Sequence, residues 1–265
     1  MNTTPTKFFL LVLLLSVPFY LLGAVGGRLP ILTAQPTSAL MAFVPMIAAL
    51  ILVYRVRGGH GANALLKRAF DFERVQSLRR VLVAVCLLPI IAVLQYKALR
   101  LAGTALPAPQ LSIAATPLYF LMYFVGAIGE EIGWQGYAFP ELRTRYSAFF
   151  AAILLGAFWA LWHVIPFVQI GRTADWIFWH GLSIVALRVI IVWLFVNTGQ
   201  SVFIAVLCHT MINLPWSVFA NYGSFYDPFI TFVLLMVVVG AIVALWGVAT
   251  LAHFRLTNPY VRAQK

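Results

Sequence analysis

The stretch YFLMYFVGAIGEEIGWQGYAFPELR, residues 119–143, is apolar enough to sit in lipid, yet it carries two adjacent glutamates, Glu130 and Glu131, flanked by glycines. A carboxylate in hydrocarbon costs at least a few kcal/mol, so such a pair needs chemistry or partners supplied by the rest of the chain. At 100° per residue the two glutamates point to different faces and cannot act as one symmetrical device. Glu130 has Gly126, Gly129 and Gly133 as near neighbours, whereas Glu131 shares its side with Ala127, Trp134 and Gln135. Gly126, Gly129, Gly133 and Gly136 form a strip of small residues against which another helix can pack closely, which places Glu130 toward a crowded interior. Pro140 disfavours helix at the residue before it and is expected to end the segment at the membrane surface.

Working outward, composition sets the environment. With 63% apolar, 15% aromatic and 9% charged residues in 265, the chain has too little polar surface to cover a soluble fold. The expected fold is all-α: a polytopic membrane helix bundle with about eight transmembrane helices. Apolar runs fall at 8–24, 39–54, 81–96, 117–138, 149–168, 176–196, 202–218 and 229–251, each near the length that spans a core of ~30 Å. The first run has only Lys7 before it and is longer than a typical signal-peptide core, so it reads as a retained span.

Charge orients the bundle. Thirteen of the 18 Lys and Arg lie at Lys7, in the segment 55–80 (Arg55, Arg57, Lys67, Arg68, Arg74, Arg79, Arg80), at Arg143 and Arg145, and in the tail (Arg255, Arg262, Lys265). With eight spans and cytoplasmic termini all of these share one side, as the positive-inside rule requires. The net charge of +11 therefore reads as topology in a cytoplasmic membrane and contact with the lipid bilayer, and a nucleic-acid partner is disfavoured. Within 58–80, Leu65, Leu66, Phe70 and Val75 have the spacing of a helix lying on that surface. Cys86 and Cys208 fall inside spans and read as small buried side chains without a disulfide or metal framework.

Few polar residues remain inside the spans. In FWALWHVIP, Trp159 and His163 share a helix face, as do His209 and Asn213 in VLCHTMINLP, and each span closes with a proline. Glu130, His163 and His209 all come within a turn or two of mid-bilayer. A carboxylate, two imidazoles and an amide converging there can activate water at Glu130 with His163, while His209 and Asn213 donate to an oxyanion. His180 reads as a hydrogen-bond partner between helices. Glu130, His163 and His209 also form a zinc set on residue type alone.

Three motifs in order, EEIGWQGYAFPEL, GAFWALWHVIP and NTGQSVFIAVLCHTMIN, resemble the CPBP family of intramembrane proteases, which includes the type II CAAX prenyl endopeptidases and the Abi proteins. The resemblance spans about 117–215 and divides the chain into N-terminal spans with a basic cytoplasmic loop (1–110), a protease-like core (111–218), and a last span with a basic tail (219–265). It implies endopeptidase activity on a membrane-associated peptide or protein. By position, Glu130 and His163 are then the water-activating residues, Glu131 supports them, and His209 with Asn213 form the oxyanion site. It favours a mechanism with no obligatory metal, a divalent ion such as zinc remaining open. Two positions depart from the family pattern. Trp159 stands for the usual Phe, a mild exchange. Gln135 stands for the arginine four residues after the second glutamate, which removes a cation that would hold a carboxylate charged. Arg188, deep in the sixth span, is expected to supply that cation to Glu131 and to leave Gln135 as a neutral hydrogen-bond partner. Buried glutamates and histidines also suit a proton-coupled transporter or a noncatalytic membrane chaperone or immunity protein, although no internal repeat of the kind transporters show is present.

Overall fold

The computed structural model describes residues 5–26, 37–75, 77–108, 111, 113–219 and 225–252, so the tail cations Arg255, Arg262 and Lys265 lie outside the described residues. All eight expected spans fall on helices. These are α1 (Pro5–Ala24), α2 (Val44–Lys67), α3 (Leu78–Leu101), α4 (Thr116–Gly133), α6 (Ala148–Gln169), α7 (Ala174–Asn197), α8 (Val202–Val218) and α9 (Pro228–Trp246), with a short α5 (Phe139–Arg143) continuing α4. No strand occurs among the described residues. Seven of the helical segments are long and apolar enough to cross a membrane, and the chain is a multi-pass membrane helix bundle. The 17 residues of α8 fall short of that length. It packs on α3, α4 and α7, and nearly every one of its side chains is buried or half-buried, so it sits inside the bundle and need not match the lipid thickness.

Several local expectations change. Pro140 does not end the glutamate helix. A π-helical turn, Trp134–Ala138, leads into α5, where Pro140 occupies the first turn and its missing N–H is tolerated. Pro166 and Pro215 likewise sit in the last turns of α6 and α8 without stopping them. Gly58, at φ +62°, breaks α2, and the piece beyond it runs to Lys67 before the chain turns through two 3₁₀ segments, Arg68–Phe70 and Phe72–Arg74. The segment 58–80 is thus only partly the surface helix that its spacing suggests. Cys208 is buried, but Cys86 is exposed on α3, in an apolar groove with Pro89, Ile90 and Met211.

The glycine strip does its work against α2 and the 3₁₀ segment Thr37–Phe43 that leads into it. A Cβ on Gly129 would lie 2.6 Å from the Ala42 carbonyl oxygen, and one on Gly133 would lie 2.5 Å from the Pro45 carbonyl. Gly136 meets Leu65. Gly126 meets nothing within 4 Å and is not part of the contact. Small residues let the two backbones touch, which is how helices associate where lipid removes the hydrophobic driving force.

Helix ends gather in two sets. Arg68 donates to the Gly136 and Gln200 carbonyls, Ala148 N–H donates to the Ala249 carbonyl, and Asn197 Nδ2 donates to the Leu251 carbonyl. The ends of α2, α5, α7 and α9 and the starts of α6 and α8 therefore share the basic end. At the other end the Tyr20 hydroxyl donates to the Trp162 carbonyl (2.8 Å) and Tyr123 bonds Ser217 (2.6 Å).

Gly133→Ala should lower the melting temperature in detergent, since its methyl meets backbone that cannot move aside and overpacking costs about 1–3 kcal/mol. Gly126→Ala should leave the melting temperature unchanged or raise it. Equal behaviour of the two variants would contradict the packing described.

Candidate active site

The two glutamates are held quite differently. Glu131, on α4, is fully buried. Arg188 Nη1 of α7 donates to both of its oxygens, at 3.0 and 2.8 Å, and His209 Nδ1 of α8 lies 2.8 Å from Oε1. Arg188 is itself fully buried. Two charges taken out of water in this way stay ionised only when geometry pairs them closely, as here. The guanidinium also lies 4.2 Å above the Trp159 ring centroid, which adds a cation–π contact on its other face.

Glu130 keeps 7% of its surface exposed, and its Oε2 accepts from two indoles, Trp159 Nε1 at 2.6 Å and Trp134 Nε1 at 3.0 Å. Its partners are thus α6 and its own helix one turn on, while the glycine strip faces α2. The expectation that Trp134 shares the side of Glu131 is corrected: at i+4 it stacks over Glu130, and only its neighbour Gln135 follows Glu131. The indole of Trp134 is fixed among Phe8, Phe158 and Trp162, with ring centroids 5.6–5.9 Å away.

His163 is half-buried, with Nδ1 2.9 Å from the Trp159 carbonyl. The carbonyl can only accept, so Nδ1 carries a proton, and in the neutral ring the lone pair is then on Nε2. The ring stacks on Phe167 at 5.6 Å and meets Trp159 and Trp162 edge-on. His209 is buried edge-on to Trp159, at 5.1 Å. Asn213 follows one turn later on α8 and is half-buried. Trp159 is therefore the hub: it donates to Glu130, covers Arg188, meets His209 and carries the carbonyl that orients His163.

Why α7 comes so close is answered by Gly156 on α6, where a Cβ would lie 2.9 Å from Val185 Cα and 3.0 Å from Arg188 Cβ. Gly181 plays no such part, its nearest neighbour being Ala160 at 3.8 Å. Gln135 is fully buried, yet neither atom of its amide has a hydrogen-bond partner, so it is not the partner of Glu131 that the sequence suggests. His180 bonds the Tyr226 hydroxyl at 2.5 Å, a contact between structural elements as expected. Among the described residues no three His, Cys, Asp or Glu side chains come together as a metal site. Glu130 Oε2 is taken by the two indoles and His209 Nδ1 by Glu131, so a metal at this place would have to use Glu130 Oε1 and the Nε2 atoms of His163 and His209.

Trp134 and Gly156 were not singled out from sequence. Trp134 was readable from its i+4 spacing to Glu130, whereas Gly156 has meaning only once α7 lies across it.

Comparison with known proteins places this arrangement. A family model described as type II CAAX prenyl endopeptidase Rce1-like matches residues 112–215. The chain is 30% identical over 185 residues to CAAX prenyl protease 2 of Methanococcus maripaludis, an alignment covering 64% of this chain and 67% of that protein.

Arg188→Leu strands a buried carboxylate and should destabilise the protein by about 3–5 kcal/mol, read as loss of folded material on gel filtration in detergent. Adding Gln135→Arg, four residues from Glu131 on the same face, should recover part of the folded yield. A double variant no better than Arg188→Leu would show that the cation cannot be supplied from α4.

Proposed function

Since the chain belongs to the CPBP family of intramembrane proteases, to which the type II CAAX prenyl endopeptidases belong, we propose that it is an intramembrane endopeptidase hydrolysing a peptide bond of a membrane-associated peptide. The name of the Methanococcus maripaludis relative brings to this chain a prenylated C-terminal peptide as the substrate class. The reading rests on one observation above all. Glu130 spends Oε2 on two indoles, which fix the carboxylate and leave Oε1 for a water molecule, and the backbone bond at Nδ1 of His163 leaves Nε2 of that ring as its base when neutral.

In this reading Glu130 and His163 hold the water and take its proton as it attacks the scissile carbonyl. The oxygen of that carbonyl becomes an anion. His209, held through Nδ1 by Glu131, faces that anion with Nε2 and serves as a donor in this reading, with the Asn213 amide as second donor. The proton taken from water then passes to the departing amine. Glu131 and Arg188 touch neither water nor substrate and act by holding His209. Every step uses side chains of this chain, in a site where excluded water strengthens each interaction.

The bundle is placed with the basic end, the segment 55–80 and both termini in the cytoplasm, in a cytoplasmic membrane. The gathering of Arg68, Arg74 and Arg143 at one end supports this.

Purified protein should cut a prenylated, membrane-tethered peptide. Glu130→Gln should stay folded with no detectable turnover, and His209→Ala should lower kcat by roughly 10²–10³-fold. Glu131→Gln should instead lower the melting temperature, because it leaves Arg188 unpaired. Full turnover by Glu130→Gln would remove it from the mechanism. For orientation, a cysteine introduced at Ser77 should resist an impermeant thiol reagent added to intact cells and react in inverted vesicles. Labelling from outside would reverse the topology.

A further inference from the structure

At the basic end a buried carboxylate, Asp71, sits between a half-buried arginine, Arg68, and an exposed one, Arg74. Arg68 Nη1 donates to the Gly136 carbonyl at 3.1 Å and Nη2 to the Gln200 carbonyl at 2.7 Å, while Nε lies 3.7 Å from Asp71 Oδ2. The Gly136 carbonyl is the one that Pro140, four residues later, cannot bond. Arg74 Nη1 donates to the Gly199 carbonyl at 3.2 Å. Gly199 and Gln200 have φ of +63° and +60°, and for Gln200 that left-handed backbone is strained. The two arginines thus hold the two carbonyls of this turn in an orientation that the turn would not choose unaided.

Asp71 completes the set. Its side chain is nearly buried, accepts from the Ser201 hydroxyl at 2.7 Å and takes the Val202 and Phe203 N–H groups at 3.3 and 3.1 Å. Ser201 in turn caps Ile204 N–H at 3.3 Å. Two first-turn donors of α8, Val202 and Phe203 N–H, are therefore met from the α2–α3 segment, and a carboxylate stands at the positive end of the helix dipole. One guanidinium joins the glutamate segment just beyond Glu131 to the turn that begins the His209 helix.

We propose that Arg68, Asp71 and Arg74 are positioning residues: together they clamp the cytoplasmic ends of the glutamate helix and α8, and so set the register in which Glu131 meets His209. The part of this that concerns turnover rests on the peptidase reading above. The part that concerns α8 does not. The cost of losing the clamp falls on geometry, because none of the three residues reaches the glutamates or histidines of the site, and a misplacement of an ångström there lowers rate more than binding.

The test joins hydrogen exchange with kinetics on the full-length protein in detergent. Asp71→Ala should raise exchange about tenfold in peptides covering 199–206 and leave Ala148–Gln169 unchanged. It should lower kcat about ten- to a hundredfold with KM kept within about twofold. Arg68→Lys keeps the charge but not the planar fork and should move both readouts in the same direction, which keeps the proposal testable if Asp71→Ala fails to fold. Unchanged exchange at 199–206, unchanged kcat, or an effect on KM alone would each overturn the assignment. Should the wild-type protein cut no peptide, the peptidase reading falls, and the exchange arm still decides whether the clamp orders α8.

Discussion

The carboxylate of Glu131, fully buried and gripped by Arg188 and His209, is the constraint around which the bundle is organised. Neither charge is tolerable alone at this depth, so α4, α7 and α8 cannot separate without exposing an unpaired ion to an apolar interior. The other close contacts serve that meeting. Gly156 lets α7 lie against α6 deeply enough for Arg188 to reach across, and Gly129 and Gly133 seat α4 on the 3₁₀ segment Thr37–Phe43 and the start of α2. Trp159 then closes over the guanidinium.

The same constraint separates two adjacent, chemically identical residues. Glu131 has both oxygens committed to Arg188 and His209 and is a fixture. Glu130, a hundred degrees around the helix, is steadied through one oxygen by indoles, which are neutral donors. It is held in place without being neutralised, which suits a group that must accept and release a proton. In the proposed reaction the buried ion pair provides rigidity and the less buried carboxylate does the chemistry.

Much of this was legible from residue order. The composition and the eight apolar runs give the helix bundle, the i,i+4 pairs place the imidazoles on shared faces, and the depth of Arg188 matches that of Glu131. What was not legible depended on partners distant in sequence. The unused partner potential of Gln135 follows from Arg188 reaching Glu131 first. Pro140 does not act as a stop, because the π turn before it and its first-turn position in α5 absorb it. Arg68 and Arg74 read in sequence only as cations of a cytoplasmic surface segment, since nothing there marks which charged side chain meets Asp71 and the turn at Gly199. α8 looked like one more span, and its enclosure by three helices appears only in the packed structure.

Infrared difference spectroscopy of the protein carrying isotope-labelled glutamate, compared with Glu131→Gln, tests the organising interaction most directly. The account predicts that the substitution removes the paired stretching bands of an ionised carboxylate at neutral pH. Loss instead of a carbonyl band from a protonated carboxylic acid would mean that Glu131 is neutral, and the ion pair on which the site is built would not exist.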